Sequence, residues 1–152
     1  MNDKITVCLG KGGQREMAES FARKNNVPIM DKPGEHLTLT GYGLTYQGDF
    51  EGMLHRVTNG RLSHEMLVRA VKTEGEHLKA IDATAGMGED GFLLAAYGYE
   101  VTLYEQNPVI AALLKDALRR ARKHPVLKDI ASRMKLVEGD SVSCMEKLMD
   151  PV

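Results

Sequence analysis

Residues 81–91 read IDATAGMGEDG. Gly86, Gly88 and Gly91 match the spacing G-x-G-x-x-G, and Asp82, Glu89 and Asp90 stand among them. A glycine loop between a strand and a helix is a common seat for a pyrophosphate, because the helix presents free N–H groups and the positive end of its dipole there. Glu105 ends the next apolar run, about 20 residues on, where a dinucleotide site carries its ribose-binding acid. The plainest alternative is a tight turn whose glycines serve close packing. The acids weigh against a phosphate. Glu89 and Asp90 fall in the first turn of the expected helix, where they favour the helix but repel a diphosphate. Asp82 adds a third carboxylate just before the loop. Such a ring suits a ligand that is cationic at this end.

S-adenosylmethionine is such a ligand. It carries a sulfonium and an ammonium, has no phosphate, and offers two ribose hydroxyls to a carboxylate. Asp82, Glu105 and Asp140 each follow one of three successive β-type runs, and ligands of open α/β sheets bind at those carboxyl ends. Any one of these acids could be a helix cap; three in register point to a site. On this reading Gly86 and Gly88 let the backbone approach the cofactor. Asp82 faces the amino-acid end, Glu105 takes the ribose, and Asp140 with Ser141 stands at the adenine side. Thr84, Ala85, Met87 and Asp90 in the loop, and Gln106 after Glu105, complete the candidate cofactor-binding set.

The elements that must position these residues follow from the apolar spacing. The expected strands are 77–84, which should be buried, 99–105, and one within 132–140. The expected helices are 62–73, 89–98, 107–124 and 141–149. Ser63 is a candidate N-cap, with Met66, Leu67, Ala70 and Val71 facing inward. Asn107 and Pro108 suit the N-cap and first position of the third helix. Val109, Leu113, Leu114, Ala117, Leu118 and Ala121 form its apolar face. Alternation of strand and helix predicts an open parallel sheet with right-handed crossovers. Residues 1–52 read as a small α+β N-terminal unit, with a β-run at 5–10, a helix at 14–26, a hairpin over 36–46 and a linker at 48–52. Residues 53–152 read as the α/β unit.

Composition sets limits. The chain has 152 residues, 43% of them hydrophobic, with 20 Lys and Arg against 21 Asp and Glu. Near-neutral charge gives no global steering toward nucleic acid. Cys8 and Cys144 lack metal-ligand spacing, no apolar run approaches the length of a membrane span, and the N-terminus lacks a signal pattern. Cytoplasmic placement is the expectation.

The stretch IDATAGMGEDGFLLAAYGYEVTLYEQNPVIAALLKDALRRA, residues 81–121, resembles the motif of the small-subunit ribosomal RNA guanine-N2 methyltransferases. That family carries D-A-T-A-G-x-G-x-D-x-F and then an acid shortly before N-P-V-x-A-A-L-L. Here these are Asp82 to Phe92, Glu105, and Asn107 to Leu114. His55-Arg56 sits like the family's H-R pair, with the following glycine run reduced to Gly60. The resemblance implies a Rossmann-like class I methyltransferase half-sheet of three parallel strands with helices. It also implies S-adenosylmethionine as donor, and a guanine amine of ribosomal RNA as acceptor and partner.

A catalytic Asp-Pro or Asn-Pro turn should end a fourth strand. Asp150-Pro151 comes too soon after Asp140 to be that turn. The sequence therefore predicts a chain truncated before its catalytic motif, with catalytic residues unknown. It also predicts an unpaired edge on the first strand of the sheet, open to self-association. Two other readings stand beside this one: a nicotinamide-dependent oxidoreductase half-domain, and a non-catalytic nucleotide-binding module. Gly10-Lys11-Gly12-Gly13 reads as an exposed turn. His64-Glu65 lacks a second histidine for zinc. Arg119, Arg120, Arg122, Lys123 and His124 read as a helix C-terminus rich in cations, with an RNA-phosphate role as the alternative.

Overall fold

The computed structural model describes residues 7–8, 20, 23–24, 29–30, 37–41, 44–71 and 73–149. The chain divides into two compact units, Met1–Gly48 and Asp49–Val152. In the first, β1 (Val7–Cys8) pairs in parallel with β2 (Ile29–Met30). β3 (Leu39–Gly41) and β4 (Leu44–Tyr46) form an antiparallel hairpin with Leu39 opposite Tyr46. Ser20, Arg23 and Lys24 are helical; the rest of the helix expected over 14–26 lies outside the described residues.

The second unit opens with a 3-10 turn (Glu51–Met53), helix α1 (Leu54–Val57), a second 3-10 turn (Arg61–His64) and α2 (Met66–Val71). The sheet region then runs β5 (Lys79–Asp82), α3 (Glu89–Tyr97), β6 (Glu100–Glu105), α4 (Pro108–Ala121), α5 (Lys128–Ser132), β7 (Met134–Glu138) and α6 (Ser141–Met149). All pairing is parallel, in the order β5-β6-β7, with Ala80 beside Val101 and Leu103 beside Leu136. This is the Rossmann-like arrangement. β6 is central, and its Val101, Leu103 and Tyr104 are buried. β5 departs from the expected buried strand. It alternates between exposed and half-buried residues, because β6 is its sole strand partner among the described residues.

Local chemistry fixes the helix ends. Asn107 caps α4 by accepting from the N–H groups of Val109 and Ile110 at 2.9 and 3.2 Å, with Pro108 in the first turn. Gly98 closes α3 in the left-handed region at φ 119°. Gly91 sits where α3 crosses the sheet. A Cβ there would stand 2.4 Å from Leu103 Cδ2. Gly91→Ala should therefore lower unfolding stability by about 1–3 kcal/mol, read as a shift in urea midpoint at constant slope; an unchanged midpoint would refute the close approach.

Three further expectations fail. The segment 48–52 is no linker. Phe50 is buried and stacks on Phe92 with ring centroids 5.0 Å apart, and Asp49–Gly52 belong to the second unit. The helix expected over 62–73 is broken by extended Glu65 (ψ 127°). Ser63 Oγ donates to the Gly60 carbonyl at 3.0 Å and caps nothing. Restarting at residue 66 rotates the inward face to Val68, with Leu67 and Val71 half-buried and Met66 and Ala70 exposed. Finally, α5 stands where the sequence predicts no element, although its Ala131 and the preceding Leu127 are buried in the core. Tyr97 and Tyr99 stack with ring centroids 6.2 Å apart, and Tyr99 Oη donates to the Val71 carbonyl at 2.6 Å.

Candidate functional site

Parallel pairing brings the carboxyl ends of β5, β6 and β7 to one edge of the sheet, so Asp82, Glu105 and Asp140 gather there. Glu105 is the junction. Its Oε2 accepts from Gly86 N–H and its Oε1 from Asn107 N–H, each at 2.9 Å. Its backbone carbonyl accepts from Gly139 N–H at 2.9 Å, and the Tyr104 carbonyl accepts from Ala85 N–H at 2.9 Å. One residue thus ties the glycine loop, the start of α4 and the end of β7 together. Each carboxylate oxygen keeps a lone pair after these bonds.

The loop glycines divide by role. At Gly86 (φ 54°) a Cβ would meet nothing within 4 Å. At Gly88 (φ 79°) a Cβ would stand 2.7 Å from Leu114 and 3.2 Å from Phe50. Gly88 is therefore needed by the core beneath the loop, and Gly86 is the glycine with open space beside it. Ala85 is buried, Met87 half-buried, and Thr84 and Gln106 exposed. Thr84 N–H donates to Asp82 at 3.2 Å.

Asp140 is the N-cap of α6. Its oxygens accept from Val142 N–H at 3.3 Å and from Ser143 N–H and Oγ at 3.2 and 2.8 Å. The Ser143 hydroxyl, helped by these N–H groups, holds the Asp140 carboxyl below its usual range. Ser141 is the first residue of α6 and half-buried.

Asp82 behaves in the opposite way. Burial pushes its carboxyl above the usual range, and the charges of Asp90 and Glu105 push it further, against the Thr84 N–H. Three carboxylates thus share one field. A groove of about 470 Å³ is lined by Asp82, Ala83 and Asp90 together with Leu67, Val71, Leu78 and Leu94; Glu105 and the loop glycines do not line it. Spacing in the sequence does not reveal the cation at this loop. Arg56 on α1 forks Glu65 through Nε and Nη2, both at 2.8 Å, and feels the charges of Glu89 and Asp90. The H-R pair is its one sequence signal; nothing in the sequence pairs it with Glu65. His55 beside it is exposed.

The basic cluster at the end of α4 is largely engaged within the fold. Arg119 and Arg120 both bind buried Asp116, at 2.8 and 3.0 Å, and Arg122 donates to the Met134 carbonyl at 2.9 Å. Among the described residues no group of His, Cys, Asp and Glu could hold a metal, and no helix is long and apolar enough to cross a membrane. Gly10-Lys11-Gly12-Gly13 and Asp150-Pro151 lie outside the described residues.

A family model described as "Putative SAM-dependent methyltransferase" matches residues 46–152. The ribosomal RNA small subunit methyltransferase J of Thioalkalivibrio sulfidiphilus is 39% identical over 155 residues, covering 91% of this chain and 61% of the relative. The protein of that name from Pseudomonas aeruginosa (strain LESB58) is 49% identical over 92 residues, covering 60% of this chain and 35% of the relative. The chain spans about half the length of the curated relatives it matches. Among solved structures, the SAM-dependent methyltransferase NGO1261 from Neisseria gonorrhoeae superposes with a TM-score of 0.66 at 28% identity, covering 93% of this chain and 63% of that one. By the family match over residues 46–152, and by a relative 39% identical over 91% of this chain's length, the chain belongs to the SAM-dependent methyltransferase family.

Proposed function

We propose that this chain forms the donor-holding part of an S-adenosylmethionine-dependent methyltransferase whose acceptor is a guanine N2 amine of small-subunit ribosomal RNA. The observation that carries the donor reading is the convergence of Asp82, Asp90 and Glu105 beside Gly86, with the Asp82 pKa raised by burial and by its acidic neighbours. When bound, the donor supplies an electrophilic methyl group on a sulfonium. The residues here do the holding. Asp82 and Asp90 face its cationic amino-acid end, and the spare lone pairs of Glu105 accept the two ribose hydroxyls. Asp140 and Ser141 border the adenine side, and Gly86 leaves room for backbone approach. The acceptor reading draws on the 81–121 motif and on relatives named as small-subunit ribosomal RNA methyltransferases. The described sheet has three strands, and this reading assigns the donor side of the reaction to it.

The donor set fits a dinucleotide poorly, since Glu89 and Asp90 fill the first turn of α3, where a diphosphate would rest. Calorimetric titration of the chain with S-adenosylhomocysteine and with NAD tests the choice. The nucleoside should bind at least about tenfold tighter, a difference of about 1.4 kcal/mol. Equal or tighter binding of NAD would sink the reading.

A further inference from the structure

We propose that Arg56, clamped by Glu65, is the seat of the donor's α-carboxylate. The inference rests on the donor reading above and adds a residue outside the 81–121 motif. Arg56 follows Met53 by one turn, with Nη1 3.8 Å from Met53 Sδ. Met53 and Phe50 share the buried cluster with Phe92, and Phe50 lies against Gly88. The guanidinium is thus anchored to the segment that underlies the glycine loop.

Its donor count leaves an edge available. A guanidinium has five N–H groups in a fixed plane. Nε and one N–H of Nη2 go to the two oxygens of Glu65, and one N–H of Nη1 makes the weak contact to sulfur. Glu65 fills the Nε/Nη2 edge, so the second N–H of Nη2 lies on the edge it shares with Nη1, where a second carboxylate can dock. The side chain is 33% exposed, so part of it is open to a ligand. Glu65 takes up the rotational freedom that a lone arginine would lose on binding, which makes it a positioning residue.

The local charge requires such a cation. The amino-acid end of the donor is a zwitterion. Asp82 and Asp90 suit its ammonium, but Glu89 and Asp90 would repel its carboxylate. Arg56 is a cation that feels both of these acids. It offsets them where the carboxylate must lie and leaves Asp82 to face the ammonium.

The test compares S-adenosylhomocysteine with its decarboxylated analogue, S-adenosyl-3-thiopropylamine, by calorimetry on the full chain. The wild-type chain should bind the parent about tenfold to a hundredfold tighter than the analogue. Arg56→Met should erase most of that margin while leaving analogue affinity within about twofold. Arg56→Lys keeps the charge but cannot bind Glu65 and a ligand in one plane; it should fall between the two. It also serves as the second variant if circular dichroism shows that Arg56→Met does not fold. Equal weakening of both ligands, or no preference for the parent in the wild type, overturns this inference alone. No binding of either compound to the wild type overturns the donor reading and this inference with it.

Discussion

Asp82→Asn should weaken S-adenosylmethionine binding about tenfold to a hundredfold, the usual worth of a charge-assisted hydrogen bond at a partly buried site, while the ligand-free protein melts no lower than the wild type. The two effects have one cause. In the ligand-free protein the Asp82 carboxylate is half-buried and faces Asp90 and Glu105, so its pKa is raised. A group raised in the folded state contributes stability below its ordinary carboxylate range and loses that contribution as pH rises through the raised value. At neutral pH the ionised side chain is therefore held against its surroundings. Asparagine removes the charge and keeps an oxygen for the Thr84 N–H. A cationic ligand reverses the balance, because it favours the ionised form. Wild-type affinity should accordingly climb with pH through the raised Asp82 pKa and level off above it, and the asparagine variant should lose that part of the slope. Calorimetry across pH 4 to about 8 reads the slope, spanning the carboxylate range, and differential scanning reads the melting point. A variant that binds within about twofold of wild type, or melts lower without ligand, would show that Asp82 is structural.

Much of this site was legible because its signals are local. The Asn107-Pro108 start of α4, the Gly98 end of α3 and the 141–149 helix follow from residues that fix their own backbone. The acids after three strands came into register because parallel pairing aligns strand ends. What could not be read depends on residues far apart in sequence. Phe50 looks like part of a polar connector until Phe92 is placed against it. Gly88 and Gly91 look like ligand glycines, yet their neighbours are Leu114 and Leu103. Both carry out the packing role that was the plain alternative for the loop, while Gly86 faces open space. Arg56 needed Glu65 beyond an unexpected break in helix, and the short α5 lacked a full apolar period. The apolar run of β5 by itself reads as a buried strand, yet its exposure fits the unpaired edge that the sequence also predicts, since β6 is its sole strand partner among the described residues.

Glu105→Ala should be the most damaging single change, since this side chain holds the fold together and, on the proposed reading, the ligand as well. Its two oxygens hold Gly86 N–H and Asn107 N–H, which lie on different segments. Asn107 N–H is exposed and can turn to water, but the Gly86 bond is partly buried, and leaving that donor unpaired costs about 1–3 kcal/mol. For a unit of this size that corresponds to a fall in melting temperature of about 4–8 °C per kcal/mol. The loss should be larger for ligand. Freed from Glu105, the loop at Gly86 no longer holds one conformation, and the ribose hydroxyls lose their acceptor, so S-adenosylhomocysteine binding should weaken more than about a hundredfold as the two losses combine. Glu105→Gln separates them. It keeps one carbonyl oxygen for a backbone donor but turns an NH₂ group toward the other, so it should recover part of the melting temperature and little of the affinity. If alanine leaves the melting point unchanged, the loop does not depend on this junction. If glutamine restores binding as fully as stability, Glu105 acts on the ligand through the loop alone.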